Sequence, residues 1–259
     1  MANEDRGRFV WYDLMTKDKK AAQDFYTKVV GWGTQGFEGG GQPYTMWTRG
    51  EQPIGGLMDQ PAEAAKSGVP PHWLAYVGVP NVDDTCREAE KLGARIHVAP
   101  RDIPTVGRFA VIADPQGAVF AAFTPAPSST PPRPEGPPQV GEISWHELAT
   151  TDQAAAFRFY NSLFGWEKDE AMDMGPVGVY QLFKRKGQQL GGMYNKPAEM
   201  PFPPNWLLYA RVPDVHKGAE TVKSLGGKVL NGPMEVPGGG WIVQIMDPQG
   251  AMFALHHTK

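Results

Sequence analysis

Two stretches of this chain, FVWYDLMTKDKKAAQDFYTKVVGW at 9–32 and ISWHELATTDQAAAFRFYNSLFGW at 143–166, align without a gap. Ten of their 24 positions are identical, among them Trp11/Trp145 and Gly31/Gly165. Three later blocks repeat in the same order: IGGLM with LGGMY, HWLAYVGVPNV with NWLLYARVPDV, and ADPQGAVFA with MDPQGAMFA. Four blocks in register indicate an internal duplication.

A proline-rich segment separates the two copies. The stretch TPAPSSTPPRPEGPPQV (124–140) holds seven prolines in 17 residues, a composition that favours extended polyproline II and interrupts strands and helices. We therefore predict a first unit over residues 1–124, a linker over 125–140 and a second unit over 141–259. A ligand for a proline-binding adaptor domain is the alternative interpretation of this segment.

Each unit repeats one pattern twice, a strand and a helix followed by three strands. In the first unit FVWYDLM is rich in β-formers, and Ala22, Phe25, Tyr26 and Val29 then recur at helical spacing before Gly31. The sequence therefore predicts an α+β protein built from four β-α-β-β-β modules.

Composition excludes several classes of protein. The 259 residues carry 25 Lys+Arg and 28 Asp+Glu, a formal net charge of −3, which gives no general electrostatic reason to bind nucleic acid or an anionic membrane. No apolar run approaches the roughly 18 residues of a membrane span. The lone Cys86 forms no internal disulfide, and the charged start MANEDRGRF is unlike a secretory signal. We expect a cytoplasmic protein.

The first strand with D-x-x-x-A-x-x-F-Y-x-x-x-x-G-W, followed later by a D-P-x-G turn and a final strand, resembles the vicinal oxygen chelate superfamily. This superfamily includes glyoxalase I, extradiol dioxygenases and bleomycin resistance proteins, and the duplication is similar to its tandem, CFP-30B-like branch. The resemblance implies a tandem glyoxalase-like fold whose four modules form two half-open barrels around cavities. The same fold hosts several reactions as well as simple binding.

The resemblance also implies where a divalent metal would be held, by His, Glu or Gln on the first and last strand of each module. In this sequence those positions fall on apolar residues or glycine, none of which ligates a hard divalent cation: Trp11, Gly56, Leu74 and Ala121, and in the second unit Trp145, Gly192, Leu207 and Ala254. We therefore expect a degenerate metal site and no cofactor.

One acidic residue follows each of these tryptophans by two positions. Strand alternation places Asp13 on the face of Trp11, and Glu147 on the face of Trp145. A carboxyl group in an apolar cavity has a raised pKa, which suits a general base or an anchor for a ligand. The alternative is a structural acid that accepts backbone N–H bonds or pairs with an arginine.

Further candidates lie on the same strand faces. His72 precedes Leu74 by two residues and completes a candidate catalytic set with Asp13 and Glu147. We expect a ligand-binding wall on the equivalent faces of both units, made of Trp11, Trp145, Leu74, Leu207, Ala121, Ala254, Asn205 and His256.

Two functions follow from these residues. The first is a metal-independent protein that binds a small, partly aromatic or amphipathic molecule between its two halves, for sequestration or sensing. The alternative is a lyase, isomerase or hydroxylase-like enzyme that uses Asp13 or Glu147 as general base, or an atypical divalent metal site. We expect a small-molecule ligand, neither nucleic acid nor a membrane as partner, and either a monomer with an internal pseudo-dimer or a homodimer.

Overall fold

The computed structural model describes residues 4–38, 43–127, 136–175 and 178–258. The centre of the predicted linker, 128–135, lies outside these ranges. In the described chain, each copy of the repeat forms its own eight-stranded sheet. We call them the first sheet and the second sheet.

The first sheet follows the predicted module pattern, with one additional short helix before its second module. Its elements are β1 (Phe9–Thr16), α1 (Lys19–Val30), β2 (Gly33–Phe37), β3 (Tyr44–Arg49), β4 (Gln52–Asp59), α2 (Ala62–Lys66), β5 (His72–Gly78), α3 (Val82–Lys91), β6 (Arg95–Ile103), β7 (Gly107–Ala113) and β8 (Val119–Pro125).

The second sheet repeats this order. Its elements are β9 (Ile143–Thr150), α4 (Gln153–Phe164), β10 (Glu167–Asp173), β11 (Val179–Arg185), β12 (Gln188–Asn195), β13 (Asn205–Arg211), α5 (Val215–Ser224), β14 (Lys228–Val236), β15 (Gly240–Met246) and β16 (Met252–Thr258).

Both sheets have the same strand order, β2-β3-β4-β1-β5-β8-β7-β6 and β10-β11-β12-β9-β13-β16-β15-β14. The first strands of the two modules pair antiparallel at the centre, β1 with β5 and β9 with β13. One sheet curls into the expected half-open barrel and the other is not closed. The tandem duplication of four β-α-β-β-β modules is confirmed.

The repeated helix begins and ends where its motif predicts. Asp18 accepts a hydrogen bond from the Ala21 backbone N–H at the start of α1, and Gly31 ends the helix with φ 89°. That left-handed conformation favours glycine. Asp152 and Gly165 do the same for α4.

The two halves are joined by mirrored contacts of this helix with the D-P-Q-G turn of the other half. Tyr26 of α1 donates a hydrogen bond to Asp247, with 3.2 Å between the oxygens, and Tyr160 of α4 donates to Asp114 at 2.9 Å. The second oxygen of Asp114 accepts backbone N–H bonds within its own turn. The D-P-Q-G motif therefore shapes a turn and connects the halves at the same time.

His146 lies in the same contact region, on the face of β9 opposite Glu147. Its Nδ1 is 2.8 Å from the Leu190 carbonyl oxygen, and its Nε2 is 2.8 Å from the Tyr12 hydroxyl. Since a carbonyl only accepts, Nδ1 carries the proton and Tyr12 donates to Nε2. The ring stacks on Phe9 at 3.6 Å between centroids, and burial lowers the pKa of His146 to about 3.

Among the described residues, no helix is both long and apolar enough to cross a membrane.

Candidate functional site

A buried carboxyl group lies on the central strand of each sheet. Asp13 is 3% exposed and Glu147 is 9% exposed. Strand pairing places Asp13 opposite Gly56 on one side and Leu74 on the other. Glu147 has the equivalent neighbours, Gly192 and Leu207.

Three neutral donors surround Asp13 in what we call the first cage, formed by Asp13, Trp11, Tyr44 and Tyr76. Trp11 donates its indole N–H to Oδ1 at 3.0 Å, and Tyr44 donates its hydroxyl to the same oxygen. Tyr76 donates to Oδ2 at 2.7 Å. The carboxyl group is therefore compensated by aromatic hydroxyl and indole groups.

The second cage uses the equivalent residues, Glu147, Trp145, Tyr180 and Tyr209. Tyr180 donates to Oε2 and Tyr209 to Oε1, both at 3.0 Å. Trp145 donates to the Tyr180 hydroxyl at 2.9 Å, as Trp11 also does to the Tyr44 hydroxyl at 2.8 Å. Gln244 adds a further donor to Oε1 at 3.1 Å, where the repeat places Val111 in the first half.

Burial sets the electrostatics of both cages. It raises the pKa of Asp13 above its ordinary value, against hydrogen bonds from Tyr44, Tyr76 and Trp11 that lower it. Burial likewise raises the pKa of Glu147. In each carboxyl group one oxygen accepts two hydrogen bonds and the other accepts one among the described residues, which leaves an acceptor position on the second oxygen.

The residues at the implied ligand positions do not fit a divalent metal. A Cβ at Gly56 would lie 1.6 Å from the Tyr44 hydroxyl oxygen and 2.3 Å from Asp13 Oδ1. A Cβ at Gly192 would lie 1.9 Å from the ring of Tyr180. Tyrosine therefore fills the space that a ligand side chain on β4 or β12 would need. Within the described ranges, no three His, Cys, Asp or Glu side chains are grouped to hold a metal ion.

The structure gathers the predicted wall residues into two separate clusters, one on each sheet. Trp11, Leu74 and Ala121 share one cluster, and a second cluster contains Trp145, Leu207 and Ala254. The main core, which spans both halves, contains none of these residues. The expectation of a ligand held between the halves is therefore not matched by this geometry, because the opposite faces of the sheets and the helices form that contact.

The structure does not link His72 to the first cage by a hydrogen bond. Its Nδ1 donates to the Pro70 carbonyl oxygen at 2.9 Å, and the residue pairs with Met15 at the start of β5. Its counterpart Asn205 pairs with Ala149. The Asn205 Oδ1 is buried and has no hydrogen-bond partner among the described residues.

His256 and Trp145 meet in a cleft of about 480 Å³ on the second sheet. This volume lies in the ordinary range of ligand sites, roughly 300–1,000 Å³. The walls come from β9, β12, β13, β16 and the end of the linker, and include Pro138, Ser144, Gln188, Arg211 and Thr258. We call this site the cleft.

A β-bulge explains why strand alternation does not predict Ser144. Tyr209 pairs with Trp145 and Ala210 with Ile143, so Ser144 is an extra residue in β9 and its side chain lies in the cleft beside Trp145. Bulges redirect side chains in this way. The Ser144 hydroxyl is 2.9 Å from Nδ1 of His256.

Arg211 connects the cleft to the linker. Its guanidinium donates to the Pro138 carbonyl oxygen at 2.6 Å and to the Thr258 hydroxyl. From the first half, Arg49 donates to the Val140 carbonyl oxygen at 2.8 Å. The end of the linker is therefore held from both sides and forms one wall of the cleft.

At three positions that line the cleft, the first sheet has an apolar residue or glycine. The repeat places Phe123 at the position of His256, Gly78 at Arg211 and Val10 at Ser144. Phe123 packs on Tyr76 at 6.4 Å between ring centroids. Each half therefore has its own cage, and the two halves differ in the residues beside that cage.

Sequence reasoning missed the four cage tyrosines, Gln244, Ser144 and Arg211. The cage tyrosines occupy matching positions, Tyr44 with Tyr180 and Tyr76 with Tyr209, so the repeat alignment contained a signal for them. For Ser144 and Arg211 the sequence signal was a polar residue in the second copy where the first copy has Val10 or Gly78.

Comparison with known proteins agrees with this architecture. The model of the glyoxalase/bleomycin resistance protein/dioxygenase superfamily matches residues 8–121 and 142–255. CFP32 of Mycobacterium bovis, provisionally named a glyoxylase, is 31% identical over 95% of this chain and 92% of its own length. The anthracycline biosynthesis protein DauV of Streptomyces sp. is 28% identical over 96% of this chain and 92% of its own.

A solved structure shows the same fold. The Mn(II)-bound glyoxalase from Novosphingobium aromaticivorans has a TM-score of 0.62 at 17% identity, over 98% of this chain and 82% of that one. With a family model matched in both halves, the chain belongs to the glyoxalase/bleomycin resistance protein/dioxygenase superfamily.

Proposed function

We propose that this protein binds a small, partly aromatic organic molecule in the cleft of its second half, for sequestration or sensing. One observation carries the proposal: Trp145 lies beside polar Arg211 and His256 in an open cleft, where the first half has Gly78 and Phe123. An aromatic wall with a few convergent polar groups is typical of small-molecule sites.

The names of relatives suggest the first probe. Bleomycin resistance is part of the family description and supports sequestration. DauV is named for anthracycline biosynthesis, which involves flat polycyclic aromatic molecules. A hydroxyanthraquinone is therefore a suitable probe, because its planar rings have the shape to lie along the Trp145 indole.

Calorimetric titration of hydroxyanthraquinone into the protein tests the proposal with a matched pair of variants. We expect Trp145→Leu to weaken binding by about threefold to tenfold, since an aromatic contact contributes roughly 0.5–1.5 kcal/mol beyond buried area. Trp11→Leu makes the same change in the first sheet and should leave the affinity within a factor of two. Equal losses in both variants, or no binding to the wild type, would contradict the assignment. Contact of Trp11, Leu74 and Ala121 with a ligand stays a prediction.

A second candidate function is an isomerase or lyase that uses Glu147 as general base. The raised pKa of Glu147 and the acceptor position left on Oε2 favour it, because a base works best when its pKa lies near the working pH. The glyoxylase name of CFP32 suggests the hemithioacetal of methylglyoxal and glutathione as a trial substrate.

Turnover would decide between the two candidates. For the enzyme, the rate should rise with pH through the raised pKa of Glu147, since the base acts in its ionised form, and Glu147→Gln should abolish it. Asp13→Asn tests whether the first cage contributes. A rate that is flat with pH, or intact in Glu147→Gln, would reject this candidate.

A further inference from the structure

The charge of the cleft is set by one side chain. Arg211 is the only formally charged residue among the described residues that line it. Two buried carboxyl groups, Glu147 on β9 and Glu142 just before it, already have partners. Tyr180, Tyr209 and Gln244 donate to Glu147, and Arg49 pairs with Glu142 at 3.2 Å. A ligand that enters the cleft therefore meets a positive wall.

The guanidinium of Arg211 is already held in place. Pro138 and Thr258 accept two of its five N–H donors, so among the described residues three remain for other acceptors. A planar guanidinium fixed in this way has the geometry that receives a carboxylate through two parallel hydrogen bonds.

His256 extends the same wall. It pairs with Arg211 across β13 and β16, and Ser144 lies at its Nδ1. Burial, followed by the positive charge of Arg211 and by His257, lowers its pKa. Two effects therefore oppose protonation of His256: its burial and the positive charge nearby. A bound anion would counter the effect of that charge.

The backbone leaves room for the His256 ring. A Cβ at Gly240 on β15 would lie 3.1 Å from His256 Nε2, and a Cβ at Gly107 would lie 2.6 Å from the Phe123 ring. Both sheets therefore place a ring over glycine at this position. The ring is polar only in the second half, together with Arg211 in place of Gly78.

We infer that the ligand of the cleft is an aromatic carboxylate, whose carboxylate binds Arg211 beside His256 while its rings lie along Trp145. This inference rests on the proposed function and specifies the chemical class of its ligand. It predicts recognition of an anion in the second half only.

Two probes with the same rings isolate the anionic group: anthraquinone-2-carboxylate and anthraquinone-2-carboxamide. By calorimetry we expect the carboxylate to bind roughly tenfold to a hundredfold more tightly, the range of a charge-assisted hydrogen bond. Arg211→Gln should bring the ratio of the two affinities close to one. Because both probes are measured on each variant, a general loss of binding through altered folding cancels in the ratio.

Arg49→Gln is the matched control, since Arg49 also holds the linker and does not line the cleft. We expect the wild-type ratio in this variant. Carboxylate affinity should also increase as pH falls, because a bound anion favours protonated His256, and His256→Phe should remove this dependence.

The outcomes separate the two proposals. If both probes bind equally and Trp145→Leu weakens both, the cleft is a ligand site and the carboxylate inference is wrong. If neither probe binds, the proposed function and the inference are both overturned. A ratio above ten that survives in Arg211→Gln would place the anion elsewhere and also overturn the inference.

Discussion

Asp13 and Glu147 show how a carboxyl group is buried without a salt bridge to any residue that the structure describes. Taking a charge out of water is costly unless hydrogen bonds replace the lost solvation. Here hydroxyl, indole and amide N–H groups replace it, and the Tyr44 ring lies over Gly56 where the metal enzymes of the fold would need a ligand. Each cage is therefore a group of hydrogen-bonded polar atoms on a sheet face that is otherwise apolar.

The stability cost of Asp13→Asn should depend on pH. The folded protein binds the Asp13 proton more tightly than the unfolded chain, since the pKa of Asp13 is raised. The contribution of Asp13 to the free energy of unfolding is therefore greatest below the pKa of about 3.9 in the unfolded chain. This contribution is lost as pH rises through the pKa of Asp13 in the folded protein. In the Asn variant the side-chain amide N–H group would also face the N–H and O–H donors of the first cage, which should lower stability by about 1–3 kcal/mol.

Urea unfolding of the wild type and Asp13→Asn at pH 4 and pH 7 measures this effect. We expect a smaller difference in the free energy of unfolding at pH 7 than at pH 4. For Glu147→Gln the difference from the wild type should also be smaller at pH 7 than at pH 4, because burial raises the pKa of Glu147 as well. A difference that grows with pH in both variants would show that the cages stabilise ionised carboxylates.

At the scale of strands, glycine decides which rings reach the cages. β4 and β12 each carry a glycine beside β1 or β9, and a tyrosine from the neighbouring strand lies over it. A side chain on this glycine and the ring above it exclude each other.

Gly56→Ala should therefore destabilise the protein by about 1–3 kcal/mol, the usual cost of overpacking, because its Cβ would overlap the Tyr44 hydroxyl. Gly36→Ala on β2 is the matched control, since nothing lies within 4 Å of a Cβ there. Chemical denaturation measures both. Equal stabilities would show that Tyr44 can leave its position over the glycine without cost.

Strand pattern explains what the sequence could and could not predict. The repeat and the alternation in β1 and β9 were enough to place Asp13 and Glu147 on the apolar face, because they are local features. Tyr76 and Tyr209 come from other strands, and only pairing across the sheet brings them to the carboxyl groups. Ser144 depends on a bulge, which shifts the alternation by one residue.

In the whole molecule the halves share one main core and cannot be regarded as independent. Buried aromatic residues of both copies form a single cluster, and the Tyr26–Asp247 and Tyr160–Asp114 hydrogen bonds connect each half to the other. Unfolding of one half would expose the core of the other.

We therefore expect a single cooperative unfolding transition. Tyr26→Phe or Tyr160→Phe should each lower its midpoint without splitting it, by about 1–3 kcal/mol in free energy. Each change removes two hydrogen bonds, because the hydroxyl also accepts the indole N–H of Trp73 or Trp206. Scanning calorimetry checks this through agreement of the calorimetric and van't Hoff enthalpies. Two resolved transitions in either variant would contradict a shared core.

His146 makes the contact between the halves sensitive to acid. Its pKa of about 3 in the folded protein lies below the unfolded value of about 6.5, so its contribution is present above pH 6.5 and is lost as pH falls toward 3. The stability advantage over His146→Leu should shrink by about 1.4 kcal/mol per pH unit in that range.

Urea titrations at pH 7, 6, 5 and 4 measure this decline. His97→Leu, at an exposed position on β6, is the control for the change from histidine to leucine. A difference between the wild type and His146→Leu that does not change with pH would mean that the buried ring takes up a proton without loss of the contact.

The mirrored contacts of Tyr26 and Tyr160 have a consequence for how the two copies change over time. Each half presents the same helix and the same turn, so the pair has the geometry of a two-fold symmetric dimer within one chain. A short tether replaces association in solution by an effective concentration near the millimolar range. Association of the two halves then does not depend on the concentration of the protein. Because the halves are separate sequences, their two faces can also differ. Phe123 can then fill one face while His256 opens the other.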